Sequence, residues 1–288
     1  MKHILITGAN GQLGTEIASL QHLFADFEIL LTDVHNLDIC DEAQLNHFFE
    51  NHSIEWVVNC AAYTAVDKAE TEIESATKVN AIAPALLAKA CKKYHCSLIH
   101  VSTDFVFDGN NNKPYTEDDE AKPIGIYGLS KFKGEQEIRQ NLNEHFILRT
   151  SWLYSPIGNN FMKTMIRLGK EKPSLNVVFD QVGTPTYAHD LALFIAYIIN
   201  SGVTQYGTYH YSNEGVYSWY DFAREIMILS GSACNVYPIE SKDYPTPAKR
   251  PSYSVLNKAK AKNVFGIQIP HWRKSLEDCY RRYSHLNL

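Results

Sequence analysis

The sequence lacks the features that would place the protein in a membrane or on a nucleic acid. Its longest apolar run, Leu191–Ile199, is too short to cross a bilayer. A net charge of −5 and a pI near 6.2 provide no excess of positive charge for nucleic acid or anionic lipid. The chain enters an apolar strand directly, without a basic leader or a cleavage site. We therefore expect a cytoplasmic protein with no membrane or nucleic-acid partner.

Cysteine is scarce and scattered, which argues against a disulfide framework. The six cysteines are Cys40, Cys60, Cys91, Cys96, Cys234 and Cys279. Cys91 and Cys96 flank His95, but no second ligand pair follows them, so the sequence predicts no metal site. Scattered thiols are typical of small buried side chains in a reducing compartment.

Three glycines, spaced three residues apart, lie near the beginning of the chain. A short apolar strand runs into Gly8-Ala-Asn-Gly11-Gln12-Leu13-Gly14, and Asp33 ends the next apolar run. Glycines at this spacing allow a tight turn and bring a pyrophosphate close to the N-terminus of a helix, although such turns also occur for packing alone. A carboxylate at the end of the second strand is placed for ribose hydroxyls. The pattern predicts a dinucleotide site.

Strand-like and helix-like segments alternate through the first half of the chain. The predicted strands are His3–Thr7, Glu28–Thr32, Trp56–Cys60, Ser97–Ser102 and His145–Arg149, and the predicted helices are Gln12–Phe24, Asp41–Asn51, Ile73–Tyr94 and Gly128–Leu142. This alternation implies right-handed crossovers and a parallel sheet. We predict an α/β fold with a doubly wound parallel Rossmann sheet in residues 1–150. Residues 151–288 are predicted to form a smaller C-terminal substrate-binding lobe, with segments around 175–200 returning to the sheet.

Further cofactor contacts are predicted where the chain leaves the second and third strands. Asp38 and Ile39 begin the next crossover and are candidates for the adenine site. Ala62, Tyr63 and Thr64 follow the third strand and are candidates to pass beneath the cofactor. Open α/β sheets bind ligands at this carboxyl edge.

A tyrosine and a lysine four positions apart suggest the chemistry. Tyr127 and Lys131 fall on one face of a predicted helix, and Thr103 follows the fourth strand at the sheet edge. An ammonium beside a phenol favours the phenolate, so we expect Lys131 to lower the pKa of Tyr127 and make it a usable acid. Thr103 is placed to donate to a substrate carbonyl oxygen. Glu135, one turn after Lys131, is interpreted as its ion-pair partner.

Aromatic and basic residues in the second half are candidates for substrate binding. Arg149 and Arg250 could each form a forked contact to a diphosphate, and Trp152 or Tyr154 could stack on a base or sugar ring. Arg250 lies in the proline-bounded segment Pro247-Ala-Lys-Arg-Pro251, which also fits a solvated basic turn. For Trp152, packing is the alternative.

Together these motifs resemble the extended short-chain dehydrogenases/reductases that act on nucleotide sugars. Within them, the chain is most similar to the dTDP-4-dehydrorhamnose reductase family. The resemblance extends over Gly8–Gly14, Asn59–Glu70, Ser102–Gly109, Tyr127–Lys131, Arg149–Tyr154, Asp180–Thr186 and Pro247–Pro251. It implies a catalytic triad of Thr103, Tyr127 and Lys131, with Thr103, Asp104 and Trp152 contacting a deoxysugar.

The resemblance also implies the reaction, the cofactor and the partners. The expected reaction reduces the C4 ketone of a dTDP-4-dehydro sugar for surface polysaccharide synthesis, with NADPH or NADH as the reductant. A homodimer and a metal at a subunit contact stay open, but no ligand cluster supports a metal. Phe105 stands where the family has tyrosine. The alternatives are a dehydratase or epimerase of the same fold, and a non-catalytic binding subunit.

Overall fold

The computed structural model describes residues 2–286 and shows an α/β architecture. The strands are β1 Lys2–Thr7, β2 Phe27–Thr32, β3 Ile54–Asn59, β4 Ser97–Thr103, β5 His145–Thr150, β6 Leu153–Tyr154, β7 Ser174–Val178, β8 Val182–Gly183, β9 Thr186–Tyr187, β10 Gly207–His210, β11 Tyr217–Ser218 and β12 Asn235–Ile239. The helices are α1 Gln12–Ser19, α2 Glu42–Asn51, α3 Val66–Ala69, α4 Ile73–Thr77, α5 Ala83–Tyr94, α6 Ile126–Asn141, α7 Phe161–Glu171, α8 Ala188–Ser201, α9 Trp219–Ser230, α10 Ala259–Phe265 and α11 Trp272–His285.

Six strands form one parallel sheet in the order β10-β5-β4-β3-β1-β2. The chain moves from β1 to one edge of the sheet and then returns to the other side of β1 with β3. Ligands of open α/β sheets bind at such a reversal of strand order, beyond the carboxyl ends of the strands. The predicted doubly wound parallel sheet is confirmed.

Strands buried on both faces explain the continuous apolar runs of the sequence. Ile4 and Ile6 face one hydrophobic cluster, whereas Leu5 faces another on the opposite side of the sheet. Part of the first cluster comes from the second half of the chain, namely Leu191, Phe194, Ile195, Tyr209 and Phe265. A third cluster lies among α7, α9 and α11 and draws its residues from the second half of the chain.

Residues around 175–200 reach the sheet as a helix, and the strand that joins the sheet comes later in the chain. Helix α8 occupies the second half of that range and packs on α1 against one face of the sheet. The strand that joins the sheet is β10, which pairs with β5. Strand β7 instead pairs with β12, in a separate two-stranded sheet.

Two of the predicted helices differ from the observed ones. The first ends at Ser19, and a short 3₁₀ turn, Gln21–Leu23, replaces its predicted last turn. The long helix predicted over Ile73–Tyr94 contains a π turn, Lys78–Ile82, between α4 and α5. Its Asn80 binds Tyr63 and Ser130, so the π turn links the segment after β3 to α6.

Candidate active site

The glycine turn leaves room for a phosphate group at the N-terminus of α1. Gly8 has a φ of 65°, and a Cβ there would lie 2.7 Å from the Ala61 backbone. A Cβ at Gly14 would lie 2.5 Å from the Gly8 carbonyl oxygen. Gly11 caps α1 without a side-chain hydrogen bond, and the first turn carries no acidic residue. These residues therefore fit the pyrophosphate of a dinucleotide.

Asp33 lies beside the glycine turn at the carboxyl end of β2. Its carboxylate accepts hydrogen bonds from the backbone N–H groups of Asn10, at 3.2 Å, and Val34, at 2.8 Å. Asp38 and the buried Ile39 line the same end of the cleft. The three residues predicted for the adenosine end therefore lie together.

Gln12 and the segment after β3 form further parts of the cleft. The side-chain oxygen of Gln12 accepts from Asn160 at 2.8 Å, which ties the glycine turn to the loop before α7. Ala62 and Thr64 line the cleft. Tyr63 does not, because its hydroxyl donates to Glu72 at 2.7 Å outside the cleft. Ala62 and Thr64 are therefore still candidates to lie beneath the cofactor, whereas the Tyr63 side chain is not.

Thr103 and Asp104 lie at the carboxyl end of β4, next to Tyr127 on α6. The Thr103 hydroxyl donates to Asp104 at 3.1 Å and accepts from the Phe105 backbone N–H at 3.1 Å. Burial raises the pKa of Asp104 to about 6. Among the described residues, Oδ2 of Asp104 has no hydrogen-bond partner. Burial therefore disfavours the ionised form of Asp104 in the cleft.

Tyr127 is held as a protonated phenol. Burial raises its pKa to about 12; the neighbouring Thr103 hydroxyl opposes this rise, and the nearby Asp104 charge adds to it. The Phe105 ring meets the Tyr127 ring edge-on at 5.5 Å between centroids. The expected lowering of the tyrosine pKa by Lys131 was wrong for this arrangement, because burial dominates.

Lys131 points toward β4. Its Nζ donates to the Val101 carbonyl oxygen at 2.6 Å and lies 3.3 Å from Nε2 of His100. Burial lowers the pKa of Lys131 to about 8, against the opposing effects of Glu135 and Cys60. A lysine of this pKa changes charge near neutral pH.

Glu135 and Arg149 form a buried ion pair behind the cleft. Two guanidinium nitrogens of Arg149 donate to the two carboxylate oxygens of Glu135 at 2.9 and 2.7 Å, and Ser102 donates to Glu135 at 2.6 Å. The interpretation of Glu135 as the ion-pair partner of Lys131 was therefore wrong. Arg149 is 2% exposed and does not line the cleft, so its predicted contact to a diphosphate was also wrong.

The outer part of the cleft is aromatic. Trp152 stacks on Trp219 with ring centroids 3.6 Å apart and planes 10° apart. Trp152 has a φ of 48°, and a Cβ at Gly183 would lie 2.8 Å from its ring. Tyr154, the predicted alternative for stacking, is instead buried in the third hydrophobic cluster. Sequence reasoning missed Trp219, since its only local signal is its position after the helix-capping Ser218.

Arg250 reaches the cleft from the C-terminal half and is held by Asp67. The guanidinium donates to the Asp67 carboxylate at 2.9 Å and to the Ala248 carbonyl oxygen at 3.1 Å. This ion pair attaches the proline-bounded segment to Asp67 in the first half of the chain. The segment is therefore not a free solvated turn.

One cleft of about 880 Å³ unites nearly all predicted site residues. Those lining it are Gly8, Gly11, Gln12, Leu13, Gly14, Asp33, Asp38, Ile39, Ala62, Thr64, Thr103, Asp104, Tyr127, Lys131, Trp152 and Arg250. Neither the cleft nor the rest of residues 2–286 contains a cluster of three His, Cys, Asp or Glu side chains that could hold a metal ion. Across the same residues, no helix combines the length and apolar character needed to span a membrane.

A dinucleotide-binding sheet whose cleft also holds a threonine, a tyrosine and a lysine is typical of nicotinamide-dependent short-chain oxidoreductases. The chain belongs to the RmlD substrate binding domain family, which it matches over residues 1–285.

Named relatives cover nearly the whole chain. It is 40% identical over 290 residues to a dTDP-4-dehydrorhamnose reductase of Aggregatibacter actinomycetemcomitans, covering 96% of this chain and 98% of that relative. It is 38% identical to the spore coat polysaccharide biosynthesis protein SpsK of Bacillus subtilis (strain 168), covering 99% of both. A crystal structure of dTDP-4-dehydrorhamnose reductase from Bacillus anthracis str. Ames in complex with NADP is also similar. It has a TM-score of 0.94 and 40% identity, covering 98% of this chain and 100% of that one.

Proposed function

We propose that the protein reduces the C4 ketone of dTDP-4-dehydro-β-L-rhamnose to give dTDP-L-rhamnose, with NADPH or NADH as the reductant. The observation that carries this proposal is the meeting of the glycine turn with Thr103, Tyr127 and Lys131 in one cleft. The names of the full-length relatives support the substrate and the use of a nicotinamide cofactor. The product would serve surface polysaccharide synthesis.

Each member of the triad has a distinct task in this proposal. The bound nicotinamide supplies a hydride to the ketone carbon. Tyr127 holds a proton at its phenol oxygen, and it delivers this proton to the substrate oxygen as negative charge develops there. Thr103 donates a hydrogen bond to the same oxygen, and Lys131 orients the nicotinamide ribose. Gly8, Gly11 and Gly14 leave space for the pyrophosphate.

The sugar nucleotide is assigned to the outer part of the cleft. Asp104 lies beside Thr103 with one oxygen that no other described residue binds, so it is available to a sugar hydroxyl. Trp152 provides an aromatic wall backed by Trp219. Arg250 carries a charge for the diphosphate, held near the cleft by Asp67.

Phe105 argues against the rival reading as a nucleotide-sugar dehydratase. That reaction needs a second acid/base carboxylate next to Asp104, and this chain has an aromatic ring there. A non-catalytic binding subunit is disfavoured because all three triad residues are present and line the cleft.

The function is tested by following NADH or NADPH absorbance with dTDP-, UDP- and GDP-linked 4-keto-6-deoxyhexoses. We expect stoichiometric oxidation with the dTDP sugar and about a hundredfold loss of kcat in Tyr127→Phe, since a general acid is removed. Tyr63→Phe is the matched control, because its hydroxyl lies outside the cleft, and it should keep wild-type kcat. Preference for a UDP or GDP sugar, or near-normal kcat in Tyr127→Phe, would refute the proposal.

We infer that both cofactors are accepted, with NADH at least as good in kcat/KM. Asp33 is placed to accept hydrogen bonds from ribose hydroxyls and to repel a 2′-phosphate. The following residues, Val34-His35-Asn36, include no arginine to bind that phosphate. Asp33→Ala should therefore shift kcat/KM toward NADPH. The exposed Asp26, at the other end of β2, provides the control Asp26→Ala, which should change nothing. A strong wild-type preference for NADPH that Asp33→Ala leaves unaltered would contradict this assignment.

A further inference from the structure

His100 is a fully buried histidine that the proposed chemistry does not use. It lies on β4 between Asn59, at the end of β3, and Lys131, on α6. Its Nδ1 is 2.9 Å from the amide nitrogen of Asn59, and its Nε2 is 3.3 Å from Nζ of Lys131. All three side chains are at most 2% exposed, so each hydrogen-bonding position must be matched within the protein.

The backbone fixes which way the Asn59 amide points. The N–H of Ala61 donates to the amide oxygen at 3.1 Å, and the Thr7 hydroxyl donates to the same oxygen at 2.7 Å. A backbone N–H can only donate, so the oxygen must stay on that side. The NH₂ group of Asn59 therefore faces His100 and donates to Nδ1, which must carry no proton.

This arrangement determines the tautomer of His100. Burial holds the pKa of His100 well below its usual range, so the ring is neutral. A neutral imidazole without a proton on Nδ1 carries it on Nε2. The Nε2–H group consequently points at the nitrogen of Lys131.

An ammonium group has no lone pair and cannot accept this hydrogen bond, whereas an uncharged amine can. The amine can still donate to the Val101 carbonyl oxygen at 2.6 Å. We propose that His100 is a positioning residue whose Nε2–H group favours the uncharged amine form of Lys131 in the resting protein, with its own tautomer set by Asn59. The inference deepens the proposed function, because it concerns the lysine of the triad.

The other groups around Lys131 do not provide a full counter-charge. Glu135, on the same helix, is bound bidentately by Arg149. Burial raises the pKa of the Cys60 thiol to about 12, so it is neutral. Tyr127 is a neutral phenol. A lysine whose amine form is favoured in this way takes up a proton more readily when negative charge appears beside it, as it would on ionisation of Tyr127.

The proposal is tested by ¹⁵N NMR on the full chain labelled at histidine and lysine, without substrate. The His100 signals should show the Nε2–H tautomer. The Lys131 signal, assigned by its loss in Lys131→Met, should titrate at least about one pH unit below an ordinary lysine. His100→Phe keeps a ring but removes the N–H donor, so the Lys131 midpoint should rise by about one unit. His210→Phe makes the same change two strands away and should leave that midpoint unmoved.

Asn59→Asp provides a second test with almost unchanged shape. One carboxylate oxygen can still accept hydrogen bonds from the Ala61 N–H and the Thr7 hydroxyl. The other can accept a hydrogen bond from a protonated Nδ1 of His100. His100 should then switch to the Nδ1–H tautomer, and the Lys131 midpoint should rise. An Nδ1–H tautomer in the wild type, or a Lys131 midpoint that neither His100→Phe nor Asn59→Asp moves, would overturn the proposal. Because these signals need no turnover, they can fail while the reductase assay succeeds, and the reverse also holds.

Discussion

At the scale of single residues, Asp104 carries a stability cost that should depend on pH. Its pKa of about 6 lies above the unperturbed value of 3.8 because burial disfavours the charged form. The fold therefore binds this proton more tightly than the unfolded chain does. The stability that Asp104 contributes is fully present below about pH 4 and is lost as the pH rises through about 6.

We predict that Asp104→Asn stabilises the protein by about 2–3 kcal/mol at pH 8, since one pKa unit corresponds to about 1.4 kcal/mol. The gain should shrink toward zero as the pH falls to about 4. Urea unfolding at several pH values measures it. Asp119→Asn is the control of opposite sign, because hydrogen bonds from Thr116 lower the pKa of Asp119. Equal gains for Asp104→Asn at pH 8 and pH 4 would contradict the assigned cause.

At the scale of elements, the pair formed by Glu135 and Arg149 joins α6, which carries Tyr127 and Lys131, to strand β5. Burial alone would raise the pKa of Glu135, but the neighbouring guanidinium of Arg149 and other donors lower it overall. We predict that Glu135→Gln lowers the free energy of unfolding by about 3–5 kcal/mol, because it leaves the Arg149 charge buried without its partner. Urea unfolding measures the loss.

Two comparisons separate burial of charge from loss of an ordinary ion pair. Glu171→Gln breaks the exposed pair with Arg167 on α7 and should cost less than about 0.5 kcal/mol. The double variant Glu135→Leu with Arg149→Met removes both buried charges and should recover much of the stability lost in Glu135→Gln. Similar losses in Glu135→Gln and Glu171→Gln would show that the buried pair does not stabilise the junction of α6 and β5.

At the scale of the whole molecule, the two halves of the chain share a hydrophobic core. Leu191, Phe194 and Phe265 pack with Ile4 and Ile6 on one face of the sheet, and β10 extends the sheet beyond β5. Residues 1–150 alone would expose this face and the edge of β5. We predict that this fragment shows no cooperative thermal transition by circular dichroism, because it cannot bury enough apolar surface.

The complementary fragment is the control for this prediction. Co-expression of residues 1–150 with 151–288 should restore a cooperative transition, since the two pieces together contain the complete core. A sharp transition in the isolated 1–150 fragment would mean that the sheet is stable without α8, β10 and α10.

Patterns between near neighbours in the sequence were sufficient to predict five of the six strands of the sheet and most of the cleft. The glycine turn, the strand ends at Asp33 and Thr103, and the helical spacing of Tyr127 and Lys131 all lie within single local elements. Parallel strands then bring their carboxyl ends to one edge, so these residues meet without any further information.

Only the tertiary structure decided which partners the charged and aromatic side chains take. The sequence alone determined the strand–helix order and the residue types at the sheet edge, because these follow from short-range periodicity. It did not determine that Glu135 binds Arg149, that His100 faces Lys131, or that Trp152 stacks on Trp219. Those contacts join residues from different elements, and burial together with the matching of donors to acceptors selects them only after the elements have packed.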